Sequence, residues 1–175
     1  MSFADELKKI DPVEEQRKIE LKQKREQEEA EKQRHNINIQ VLKNSLPSMF
    51  KYARVLGLLN NNAHDFCFFY SDRRERHGIV LCSENELIKT KTGDTFTGIV
   101  EDSTENVHPL HLRAEIYSAY YDSNDVITAL RELGFRNVSV KTVACKHREQ
   151  SPLWALLGEK TVKKFSVSLY HIELK

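Results

Sequence analysis

The stretch from Val13 to Arg34, VEEQRKIELKQKREQEEAEKQR, carries only four apolar side chains, Val13, Ile19, Leu21 and Ala30, and neither glycine nor proline. It reads as a helix. Glu14 to Lys18, Glu20 to Lys24 and Glu28 to Lys32 each stand four apart with the acid first, the order in which such pairs contribute about 0.2–0.5 kcal/mol apiece. Since no face is apolar, the segment has nothing to bury in a core of its own chain, and such a helix bridges, meets a partner or frays. A coiled coil is disfavoured, because after Leu21 the run offers no apolar a or d position until Ile37.

Whatever this chain folds into, that segment lies outside its interior, and composition places the boundary. Residues 1–34 hold ten acids and nine Lys/Arg with few large apolar side chains, whereas residues 63–175 hold 16 acids and 15 bases among regular apolar runs. The expected partition is a highly charged helical extension over 1–60 and a globular domain over 63–175, within the ordinary size of one domain.

A net charge of +1 excludes the overall basicity of a protein that coats nucleic acid without selectivity. The charge is nevertheless unevenly placed. Residues 84–125 have a balance of −6 and residues 131–175 a balance of +5, an asymmetry that solvated surface alone can also produce. Cys67, Cys82 and Cys145 form no CxxC, and an odd number so spaced argues against a disulfide framework and for a reduced, cytoplasmic compartment. No apolar run reaches the ~18–20 residues of a spanning helix, and the charged N-terminal segment does not resemble a signal peptide. No membrane association is expected.

Along the chain, Phe3, Leu7 and Ile10 suit a first short helix, and Asp11-Pro12 a capped restart. Ser45-Leu46-Pro47 predicts a break, with a new amphipathic helix through Met49, Phe50, Ala53 and Leu56 that stops at Asn60-Asn61-Asn62. Asp65 to Ser71 and Gly78 to Cys82 read as a buried hairpin, Glu86 to Lys91 is ambiguous, and Thr95 to Val100 is a third strand. Arg113 to Tyr121 alternates as a strand. Asp122, Ser123 and Asn124 then open a helix with Val126, Ile127, Leu130 and Leu133 as its stripe and Gly134-Phe135 as its C-terminal stop. Asn137 to Lys146 has period two but changes face at Val143 and Cys145, as a bulge would cause. Ser151-Pro152 begins a helical turn ending at Gly158, and Lys164 to Leu174 is the last strand. The expected fold is α+β: a mixed, mostly antiparallel sheet with one well-capped helix at about 124–134, preceded by the charged extension. A right-handed crossover would set 113–121 parallel to 137–146.

No reaction signature is present. His108 and His111, or Cys145 and His147, lack the spacing of a zinc site. Cys67 and Cys82 lie in apolar strands where thiols act as small hydrophobes, and no GxSxG, GxGxxG or P-loop occurs. No catalytic residue, cofactor or metal is assigned. The positive signal is basic. Arg73, Arg74 and Arg76 fall at the hairpin tip, Lys146 and Arg148 end one strand, and Lys160, Lys163 and Lys164 open the next. Brought to one edge, they would suit a phosphate backbone or another anionic surface. The expected role is a non-catalytic binding module of adaptor or inhibitor type, its partner another protein or a nucleoprotein. Direct nucleic-acid binding and an enzyme with a dispersed site are the alternatives.

Overall fold

The computed structural model describes residues 11–71, 76–89, 95–101, 107–113, 121–149 and 161–174. Its elements are α1 (Pro12–Val55), β1 (Ala63–Ser71), β2 (Arg76–Leu81), α2 (Glu84–Lys89), β3 (Thr95–Glu101), β4 (Val107–Arg113), α3 (Ser123–Glu132), β5 (Val138–Glu149) and β6 (Thr161–Glu173). The expected first helix, the strand over 113–121 beyond Arg113 and the turn at 151–158 lie outside the described residues. The chain divides into two compact units, residues 1–38 and 39–175.

In the first unit the Asp11 carboxylate accepts from the Val13 amide at 2.9 Å, so Asp11 caps the helix that Pro12 begins. None of residues 11–38 is buried, and Val13, Ile19, Leu21 and Ile37 are all more than half exposed. Two ion pairs differ from the expected ones. Lys18 meets Glu15 at 3.1 Å rather than Glu14, and Lys24 meets Glu28 at 4.0 Å rather than Glu20.

The second unit is an α+β domain built on one six-stranded sheet, ordered β4-β3-β2-β1-β6-β5, and every pairing among the described residues is antiparallel. On one face a core forms from Leu42, Leu46, Met49, Phe50 and Ala53 of α1, Val126, Ala129 and Leu130 of α3, and Phe66, Phe68, Ile79, Ile99, Tyr170 and Ile172 of the strands. Its aromatic centre is tight. Phe66 lies edge-on to Phe50 at 5.3 Å and stacks on Tyr170 at 5.4 Å, geometries that contribute beyond area burial.

This core explains one departure from the sequence expectations. The helix does not break at Pro47 but runs on to Val55. An internal proline costs about 3 kcal/mol, which burial of five side chains around it, at roughly 1.5–3 kcal/mol for each large one, more than offsets. The second compact unit, from Ile39 onward, includes these buried residues of α1. The stop is also earlier than Asn60: Gly57 takes φ +74, and the Gly57 and Leu58 amides donate to the Arg54 and Ala53 carbonyls, a Schellman ending.

Helix α3 matches its expected signals. Asp122 accepts from the Asn124 amide at 2.8 Å, Gly134 takes φ +98, and the Phe135 ring meets Phe50 at 5.6 Å. The ambiguous segment after Cys82 is helix α2, closed by a capping box in which the Ser83 amide donates to Glu86 at 2.7 Å and the Glu86 amide to the Ser83 hydroxyl at 3.3 Å.

The opposite sheet face buries a second cluster of Cys67, Phe69, Val80, Cys82, Val143, Cys145, Val167 and Leu169, with Leu87 of α2 upon it. Two buried faces remove the bulge expected in β5. Its pairing with β6 runs in unbroken register from Val138↔Ile172 to Glu149↔Thr161. Val138 and Val140 pack toward the helical core while Val143 and Cys145 belong to the second cluster, so the change of phase records a change of which face is covered.

Candidate functional site

The register of β5 and β6 sets Lys146 opposite Lys164, His147 opposite Lys163 and Arg148 opposite Val162. Two successive rungs thus pair basic residue with basic residue, an arrangement that cross-strand energetics disfavour. Arg76 is the first residue of β2, opposite Ser71 at the end of β1. Because β1 is antiparallel to β6, the end of the sheet where β1 finishes and β2 starts is the end where β6 starts and β5 finishes. Arg76, Lys146, Arg148, Lys163 and Lys164 therefore belong to one end of the sheet. Arg73, Arg74 and Lys160 lie outside the described residues.

A second locus was not anticipated from the sequence. At the opposite end of β1, a cleft of about 320 Å³ is lined by His64, Asp65, Cys82, Ser83, Glu86 and His171, with Leu58 among its apolar walls. Asp65 and His171 are register partners, and the Asp65 carboxylate holds His171 Nδ1 at 2.7 Å. The other ring nitrogen, Nε2, lies 4.0 Å from the Glu173 carboxylate. The ring is held in one direction by the Asp65 carboxylate. Its neighbours have structural tasks: Ser83 and Glu86 cap α2, and His64 Nε2 accepts from the Asn60 amide at 3.1 Å. Asp65 and His171 stand 106 positions apart, so only strand register could have revealed the pair.

Beneath this cleft the Cys67 and Cys82 sulfurs are 3.8 Å apart, and all three cysteines are free and buried. The Cys82 hydrogen bond and burial push the Cys67 thiol well above its ordinary value, and burial raises Cys145 as well. Both thiols are held protonated and are poor nucleophiles. Among the described residues no group of three His, Cys, Asp or Glu could hold a metal ion, and no helix is long and apolar enough to cross a membrane.

No protein-family model, no curated protein and no solved structure matches this chain.

Proposed function

We propose that this chain is a non-catalytic binding module that contacts an acidic protein or nucleoprotein surface through the basic end of its sheet, with the charged helix of residues 12–38 as a further contact. One observation carries this reading, the like-charge register of Lys146 with Lys164, next to His147 opposite Lys163. Like charges directly opposite each other weaken a strand pair, and an anionic partner relieves that repulsion while gaining attraction of its own. The charged helix supports the same reading, since it has no buried residue to stabilise it within the chain.

Fluorescence anisotropy against labelled poly-glutamate and a labelled oligonucleotide, at about 50 to 200 mM salt, tests the proposal. The reversal K163E/K164E, which turns the Lys146 rung into an opposite-charge pair, is expected to raise the melting temperature slightly and to weaken poly-glutamate binding about tenfold at low salt, mainly through slower association. Unaltered affinity in the double variant removes the basic end as the contact surface. Direct nucleic-acid binding is the second reading, favoured by the same run of basic residues. It requires the oligonucleotide to bind more tightly than poly-glutamate, with a log-log salt slope of about −0.9 per duplex phosphate contacted.

A further inference from the structure

The sheet ends in two outer strands, β4 and β5, and they are built differently. β4 carries Pro109 in the middle of its pairing with β3, opposite Ile99. A proline has no N–H to offer a further strand and is a common device for keeping an edge unpaired. β5 has no such device in its backbone. Its twelve residues contain neither proline nor glycine and pair with β6 without a bulge. In an antiparallel ladder every second residue turns its N–H and C=O away from its partner, so the outer side of β5 presents a regular row of donors and acceptors. Among the described residues no strand pairs with that side.

Charge selects what fits there. β5 bears Lys146, His147 and Arg148 against the single acid Glu149, Lys141 being engaged by Glu84 of α2, and Lys163 and Lys164 follow on the neighbouring strand. A segment added along β5 would lie directly beside the basic residues of that strand, where opposite-charge cross-strand pairs each contribute roughly 0.2–1 kcal/mol, with those of β6 one strand further in. Packing of α3 and α2 against β5 keeps the strand in place as a template.

We propose that the outer edge of β5 takes an extended acidic peptide segment of a partner protein, which joins the sheet as an added strand. Main-chain hydrogen bonds would supply affinity and the basic residues specificity, as in other strand-addition complexes. The inference rests on the binding-module reading and makes it specific, replacing a charged surface by a defined edge.

The probe is a synthetic peptide of about eight residues, an ordinary strand length, alternating glutamate and valine, together with a second peptide N-methylated at every other residue. Binding is followed by anisotropy, and amide hydrogen exchange is followed residue by residue on the full chain. In the free protein about half the amides of 138–149 should exchange readily, and the peptide should protect them. N-methylation should weaken binding about tenfold or more at constant charge. Protection of those amides before any peptide is added overturns the proposal. Equal affinity of the two peptides overturns it too, but leaves the binding-module reading intact, since charge alone would then hold the acidic segment. If neither the peptides nor poly-glutamate binds, both fall. Oligonucleotide binding that displaces the peptide while leaving the β5 amides exchanging readily assigns the edge to phosphate and overturns strand addition.

Discussion

Leu46→Ala, set beside deletion of residues 1–38, separates the part of helix α1 that holds the domain together from the part that does not. Leu46 is fully buried in the helical core, one residue before Pro47 and among Leu42, Met49, Phe50 and Ala53. Truncating a buried leucine removes its transfer free energy and leaves a cavity, for a combined cost of about 2–5 kcal/mol. At about 3 kcal/mol, and about 2–4 °C per kcal/mol in a chain of this size, the melting temperature should fall by roughly 10 °C. The deletion removes far more atoms, yet none of residues 11–38 is buried, and ion pairs such as Lys18 with Glu15 are exposed and worth little. Its expected cost is below about 0.5 kcal/mol. Urea unfolding measures both, with an unchanged denaturant slope for Leu46→Ala as the sign that the transition remains the same. A truncated protein that loses more than about 2 kcal/mol, or a Leu46→Ala protein that loses less than about 1 kcal/mol, would refute the assignment of the core to residues from Ile39 onward.

Gly78→Ala should prevent proper formation of the sheet, because a Cβ there would stand 2.0 Å from the Ile99 carbonyl oxygen in the paired strand; a circular-dichroism spectrum and melting curve like those of the parent would contradict the β2–β3 pairing. The three thiols should resist a thiol reagent in the native state at neutral pH and titrate as three after denaturation without reductant; a count of one would reveal a disulfide. Stability should be fully present below about pH 9, the ordinary thiol value, and be lost as pH rises above it, because the folded state keeps the Cys67 proton that the unfolded chain gives up. Tyr170, raised by burial above its usual value of 10.0, acts in the same direction at higher pH. A urea midpoint that holds or rises through that window would show that the thiol is not shielded.

What could be read from the residues follows the range of the interactions involved. Helix α3 was legible because Asp122 and Gly134 act on their own neighbours. Pro47 misled, since its local cost is set against burial by residues such as Phe66 and Tyr170 that no local pattern reveals. Val143 and Cys145 misled for a related reason: period two reports faces, and a strand covered first on one face and then on the other looks like a strand with an extra residue. Of the basic residues, Lys146 and Lys164 fall inside the strands expected at 137–146 and 164–174, whereas Arg148 and Lys163 lie just beyond those bounds, in strands that run longer than expected. Their rung-by-rung opposition required the register. The Asp65 and His171 pair was invisible, as neither residue carries a spacing signal toward the other.

The place of β1 between β2 and β6 has a kinetic consequence. Its pairing with β2 is a nearby hairpin, in which Phe66 faces Leu81, but its pairing with β6 joins Phe66 to Tyr170. Closing a loop of that length costs about 4 kcal/mol in chain entropy before any rung repays it. The hairpin can therefore form and re-form while one edge of β1, rich in phenylalanine, waits for its distant neighbour. Long-range pairing of this kind slows folding, so this chain is expected to fold more slowly than its β1–β2 hairpin forms, which stopped-flow refolding would measure.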